Sequence, residues 1–277
     1  MKDTGERHIL NENFRDKSEL YIHLMHIATY EYAKNFASGK KVLDFGCGSG
    51  YGAKILSEKA DSVTGTDLSQ EAVDFAKDKY NSDNLNFITD QELADKKFDM
   101  ITSFQVIEHV ENDAEYITRL KGLLNPGGLL LISTPDKKNR LFNYIQKPWN
   151  IFHLKEYTSG SLKKLLENHF TQVEILKIGS GSDLVLEEIS RTKKQRIITL
   201  PCTLSLYPYS LRVFLLKFQK SIFESLKKIK SGSGKMPAGM NGATADFHSG
   251  YSHNDITIGK EIQYSTDLLA VCIKNSD

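Results

Sequence analysis

Three cysteines in 277 residues are few, and their placement excludes more than their number. Cys47, Cys202 and Cys272 are odd in count and far apart, so neither a disulfide framework nor a zinc site is expected. No apolar run approaches the ~18 residues of a membrane-crossing helix. The first seven residues, Met1 to Arg7, lack the apolar core of a signal peptide, and the chain is expected to be cytoplasmic. Internal repeats are missing. A net charge of +1 does not describe a polyanion binder. That average hides an asymmetry, because residues 191–230 hold ten Lys/Arg and one acid, Glu224. The window therefore carries about +9 and the remainder about −8.

One stretch stands out against this background. Val42-Leu43-Asp44-Phe45 is an apolar run that stops in Gly46-Cys47-Gly48-Ser49-Gly50-Tyr51-Gly52, and a helix-compatible segment follows. This is a buried strand feeding a tight loop that opens a helix. Glycines let backbone approach a ligand closely, and the free N–H groups of the helix start favour an anionic group. A second strand, Ser62 to Thr66, ends in Asp67, 21 residues after Gly46. An acid at that spacing accepts ribose hydroxyls. A dinucleotide fingerprint would need glycine at position 51, which is Tyr51.

Glycines at 46, 48 and 50 behind Asp44 resemble motif I of the Rossmann-like S-adenosylmethionine (SAM) methyltransferases. The likeness continues in order through Val63 to Ser69, Phe87 to Asp90, Phe98 to His109 and Leu124 to Pro135. It covers about residues 40–178 plus 265–275. The fold it implies is α/β, with a doubly wound, mostly parallel seven-stranded sheet. Cofactor roles follow by position. Gly46, Gly48 and Gly50 line the methionine end and Asp44 lies near its amino group. Asp67 takes the ribose, Leu68 packs on adenine, Asp90 accepts from the adenine amino group with Gln91 beside it, and Gln105 borders the transferable methyl. The implied cofactor is S-adenosyl-L-methionine.

Strands are expected near 41–45, 62–66, 85–89, 98–103, 128–134 and 172–178, with helices at 51–60, 69–80, 112–124 and 158–169 between them. Thr158 is a candidate N-cap. An N-terminal helical cap (1–40) precedes the SAM-binding core (41–179). The resemblance implies that a helix over 15–37 within the cap roofs the cofactor, with Tyr21, His23 and Tyr30 able to touch SAM or substrate; the alternative is a helix packed on the sheet with its polar tips exposed. An insert (180–264) precedes the last strand (265–277). Apolar residues at 211, 214/215, 218, 222, 226 and 229 form one helical stripe with a basic opposite face. This segment, 205–230, could close over the acceptor, touch a membrane surface, or pack on the domain or in a homodimer. The Gly-rich stretch from Ser231 to about 260 is expected to be flexible or ordered only on binding.

Methyl transfer is mainly a matter of placing a nucleophile, and a base is needed only where a hydroxyl must lose its proton. His109, after the fourth strand, and His153, in Trp149-Asn150-Ile151-Phe152-His153-Leu154-Lys155-Glu156-Tyr157, are the candidate catalytic residues. Some sugar-hydroxyl and ubiquinone-precursor O-methyltransferases hold a divalent ion with E-x-x-E-H. Here the first carboxylate is replaced by Gln105, so no metal is expected. No Asn/Asp-Pro-Pro-Tyr/Phe motif follows the fourth strand, so no nucleic-acid substrate is expected. Short strings, Thr4-Gly5-Glu6-Arg7, Cys-Gly-x-Gly-Tyr-Gly and Asn-x-Phe-His-x-x-Glu, resemble methyltransferases of bacterial surface-polysaccharide assembly. They imply O-methylation of a saccharide or glycan. A quinone- or phenol-type acceptor and a non-catalytic SAM-binding scaffold are the alternatives.

Overall fold

The computed structural model describes residue 14 and residues 16–94, 96–231 and 250–276. The Thr4 to Arg7 string and most of the Gly-rich stretch lie outside the described residues. Helix α1 (Lys17–Lys34) comes first, capped by the Asp16 carboxylate on the Glu19 N–H. Strand β1 (Lys41–Phe45), helix α2 (Tyr51–Ser57), β2 (Ser62–Asp67), α3 (Gln70–Lys79), β3 (Leu85–Thr89), β4 (Phe98–Phe104) and α4 (Asp113–Leu123) follow. Then come β5 (Leu124–Pro135), the short α5 (Lys137–Arg140), α6 (Ser159–Glu167), β6 (Gln172–Gly179), α7 (Asp183–Thr199), α8 (Tyr209–Ser231), β7 (Thr257–Gly259) and β8 (Ser265–Ile273). Thr158 caps α6 by accepting from the Ser161 N–H, as its position suggests.

The sheet order is β3-β2-β1-β4-β5-β8-β6-β7. β3, β2, β1, β4 and β5 run parallel, whereas β8 inserts antiparallel between β5 and β6. Each central strand alternates. Val42, Met100, Leu131 and Leu269 join a core with α1, α2, α3 and α7. Their neighbours Leu43, Ile101, Leu130 and Leu268 join the opposite core with α4 and α6. Strands buried on both faces need continuous apolar runs, which is the pattern the sequence carries.

Three features differ from the sequence expectation. Among the described residues the sheet has eight strands rather than seven, because Thr257–Gly259 of the expected flexible stretch pairs antiparallel with β6. It covers part of a sheet edge whose N–H and C=O groups would otherwise lack partners. Strand β5 begins at Leu124 rather than near 128, and Asn125 to Gly128 lie inside it as a register shift opposite Phe98 and Met100, with Gly127 at φ +73°. Helix α7 lies within the insert, where no helix over 183–199 is expected, and buries Leu184, Val185 and Ile189 in the core that α1 shares. Among the described residues, no helix is long and apolar enough to cross a membrane.

Candidate active site

A cavity of about 650 Å³ opens at the C-terminal ends of β1, β2 and β4. Its size suits a small-molecule ligand, and strand C-termini are where open α/β sheets bind ligands. Its floor begins with the glycine loop. Gly46 and Gly50 have φ of +82° and +84°, in the left-handed region. A Cβ on Gly46 would come 2.6 Å from Val106 Cγ2, and one on Gly50 would come 2.9 Å from the Phe87 ring. Gly48 differs, because a Cβ there would meet nothing within 4 Å. Gly46 and Gly48 line the cavity with Cys47 and Ser49, whereas Gly50 serves the close packing of α2 on the sheet.

Asp44 lies beneath this floor rather than in the cavity wall. It is fully buried and accepts hydrogen bonds from Tyr30 Oη (3.1 Å) and Thr102 Oγ1 (2.9 Å). Burial pushes its carboxyl up to about 7, against these hydrogen bonds, which pull it down. Tyr30 and His26 bring α1 to the cavity wall, and His26 Nδ1 lies 2.6 Å from Tyr51 Oη. Tyr21 is buried and bonded to Thr266, and His23 packs edge-on against Phe14.

Asp67 ends β2 with its carboxylate held by the Gly48 N–H (3.2 Å) and the Ser69 N–H (2.8 Å). Leu68 lines the cavity yet is 85% exposed, an apolar surface suited to a planar ring. Thr66 Oγ1, also on the wall, is buried without a hydrogen-bond partner. A buried hydroxyl left unpaired is costly, so a polar ligand group beside Asp67 would complete it. Asp90 lines the cavity as well, gripped bidentately by Arg119 at 2.7 and 2.8 Å. Gln91 is exposed and outside the lining residues, because the short turn after β3 points it to solvent. The residues present fit an adenosine-bearing cofactor. His26 comes from the helix expected over 15–37, whereas no sequence signal marks Thr66 or Arg119 as site residues.

The far end of the cavity is built differently. Gln105, just past β4, takes φ +56°, a strained value for a residue with a side chain. Its Nε2 donates to Asp267 Oδ1 of β8 at 3.2 Å. His109 lines the wall with Phe152, and its Nδ1–H donates to the Phe152 carbonyl at 3.2 Å. A carbonyl can only accept, so a neutral His109 ring carries its basic lone pair on Nε2. His153 packs edge-on against His109 with ring centroids 4.9 Å apart, but it is buried and not among the lining residues. Its Nδ1–H donates to Glu156 Oε1 at 2.9 Å, and Arg140 Nε donates to the same oxygen at 3.2 Å. Burial holds His153 down at about 4, so its ring is neutral at pH 7. Burial also works to raise Glu156, but Arg140 and the His153 hydrogen bond outweigh it and leave the carboxylate ionised.

Glu108 is fully buried, accepts from Thr134 Oγ1 at 3.0 Å, and is pushed up to about 8 by burial. One ligand atom from each of Glu108, His109 and His153 lies within 4.8 Å of the others. Asp267 is lifted to about 6, again chiefly by burial. Glu156 stands in the Asn-x-Phe-His-x-x-Glu string of the sequence, but Arg140 and Asp267 carry no local signal, because α5, the 150s loop and β8 meet only in the fold.

A family model described as a methyltransferase domain matches residues 21–174, which is more than half of the chain. The chain belongs to the methyltransferase domain family. The matched span carries the glycine loop, Asp67, Asp90, Gln105, His109 and His153 of this methyltransferase domain. S-adenosylmethionine is the cofactor that this membership assigns. A protein of Mycolicibacterium smegmatis named "probable S-adenosylmethionine-dependent methyltransferase" is 31% identical over 173 residues, covering 62% of this chain and 65% of its own length. A ubiquinone biosynthesis O-methyltransferase of Coxiella burnetii is 32% identical over 131 residues, covering 44% of this chain and 56% of its own. The chain thus covers less than two thirds of either relative. A solved structure described as a SAM-dependent methyltransferase, possible histamine N-methyltransferase, of Thermotoga maritima superposes with a TM-score of 0.52 at 11% identity. It covers 93% of this chain and 94% of its own, and shows the fold alone.

Proposed function

We propose that this chain transfers a methyl group from S-adenosylmethionine to a hydroxyl of a saccharide or similar hydroxylated small molecule, with His109 as the base. When bound, S-adenosylmethionine supplies a methyl group activated by a positive sulfur. The loop Gly46 to Ser49 would hold it, with Thr66 and Asp67, and with Leu68, Asp90 and Arg119 at the outer end. The acceptor oxygen must lose its proton by the end of transfer, and His109 Nε2 takes it. His153, braced by Glu156 and Arg140, holds the His109 ring in place and keeps the wall dry.

The observation that carries this reading is the His109 Nδ1–H bond to the Phe152 carbonyl, which directs the basic nitrogen away from the backbone at the cavity wall. The Coxiella relative's name concerns methylation of oxygen and favours a hydroxyl acceptor. The same name supports a quinone- or phenol-type acceptor as the second reading. The saccharide reading rests on the short sequence strings. His109→Ala should keep SAM affinity in calorimetry and lose turnover by roughly 10²–10⁴. A near wild-type rate on the true acceptor would leave positioning alone as the source of catalysis. A panel of saccharide and phenol acceptors with labelled SAM separates the two readings, and transfer to none of them would favour a non-catalytic SAM-binding scaffold.

We propose also that turnover needs no divalent ion. Position 105 offers an amide where a carboxylate would bind a hard cation. Activity should survive EDTA. Loss on EDTA and recovery with magnesium would instead assign the ion to Glu108, His109 and His153.

A further inference from the structure

Helix α8 presents a face that the other described residues leave uncovered. It spans 23 residues, about 34 Å at the usual rise. Arg212 and Leu216 point inward, at 1% and 8% exposure. Leu211, Phe214, Phe218 and Ile222 recur at helical spacing on another side and are 39 to 63% exposed. The Phe214 and Phe218 rings are nearly parallel, with centroids 6.3 Å apart. Lys217 is exposed beside the Phe214 edge of this stripe, and Lys220 is exposed on the side of the helix opposite it. Over its length α8 carries six Lys/Arg and one acid, Glu224.

We propose that the exposed stripe of α8 docks on an anionic lipid surface, with its lysines meeting lipid phosphates. Aromatic and aliphatic residues on one side, lysine beside them and a single acid are the make-up of a helix lying in a bilayer interface. The helix is too charged to cross a membrane, so it lies on the surface. The charge selects the occupant. A second copy docking through the same stripe would bring two helices of the same positive charge together in an isologous contact, whereas an anionic headgroup layer attracts that charge. Ahead of α8, Leu206 is 76% exposed, and Leu204 bridges to Gln146, which follows the exposed Tyr144 and Ile145 in the chain.

The docked helix is tied to the active-site rim. The Arg212 guanidinium donates to the carbonyls of Pro148 (2.7 Å), His153 (3.0 Å) and Ile151 (3.4 Å), and Tyr209 Oη donates to Ile151 O at 3.1 Å. The loop so gripped carries Phe152 of the cavity wall.

Vesicle flotation of the full chain tests this. The probes are phosphatidylcholine vesicles with and without phosphatidylglycerol. The wild type should float with the anionic vesicles at low salt and be released at high salt. A Phe214→Ser/Phe218→Ser variant and a Lys217→Glu/Lys220→Glu variant should each lose binding by about tenfold or more, with SAM affinity unchanged as the check on folding. A wild type that stays unbound at low salt overturns the proposal. So do two variants that float as the wild type does. A wild-type dimer dissociated by the phenylalanine substitutions, with no flotation, assigns the face to a second copy and overturns it too.

Discussion

Asp44 is a carboxyl whose ionisation works against the fold. Its buried position raises it to about 7 from an ordinary 3.8. A group raised in the folded state contributes stability that is present below its unfolded value and is lost as pH rises through the folded one. Asp44 therefore contributes most below about pH 4 and progressively less up to about pH 7. Tyr30 Oη and Thr102 Oγ1 moderate that loss by donating to the carboxylate. Tyr30→Phe removes one donor, raises Asp44 further and should destabilise by on the order of 1–3 kcal/mol where Asp44 is ionised. Thermal unfolding at about pH 8 should show a larger drop than at about pH 5. Equal drops would mean that Tyr30 contributes through packing alone. Its ring does pack: a Cβ on Gly52 would come within 2.0 Å of it.

Among the elements, the loop between α5 and α6 depends on α8 for its shape. It clasps the turn after β4 through Leu154 N–H to the Glu108 carbonyl at 2.8 Å, and from outside Arg212 satisfies three of its carbonyls. Arg212 is 1% exposed, and burial pulls its pKa below the ordinary arginine value. Replacing it by Met would keep much of the packing but strand those carbonyls. Arg212→Met should destabilise by roughly 2–4 kcal/mol. At a temperature where the variant is still folded, it should lower kcat with SAM affinity retained, because His153 and Phe152 shift with the loop. Unchanged kcat would confine Arg212 to a structural role.

For the molecule as a whole, cofactor binding and folding stability are linked. A ligand that binds only the folded state stabilises it, by about 2.7 kcal/mol at a hundredfold excess over Kd. SAM should therefore raise the unfolding temperature of the wild type. Asp67→Ala removes a charged hydrogen-bond partner, on the order of 1.5–3 kcal/mol, and should weaken SAM binding about tenfold or more in calorimetry. The thermal shift at equal SAM concentration should shrink with it. The variant should also unfold earlier without SAM, because the Gly48 and Ser69 N–H groups lose their acceptor. Unchanged affinity would remove Asp67 from the cofactor site.

The chain order of the strands was legible in the sequence. Strand β1, its glycine loop and the acid ending β2 are local patterns, because strand length, left-handed turns and helix starts are set by residues close together in the chain. Gly46, Gly48, Asp67, Leu68, Asp90, Gln105 and His109 were legible for the same reason: each stands at or just beyond a strand end, where a doubly wound sheet gathers its ligand groups. Tertiary structure decided what depends on distant segments meeting. Burial over Asp44 and Glu108 raises their carboxyls, and no local motif encodes burial. The brace on His153 joins Arg140 and Glu156 across the α5–α6 loop, and Gln105 finds Asp267 across 162 residues of sequence. The stripe of α8 was readable as helical from its period. Which way it faces was not, because period places residues on one side of a helix without saying which side the fold will cover. Arg212, off the apolar stripe, took the buried place by satisfying three carbonyls of another loop.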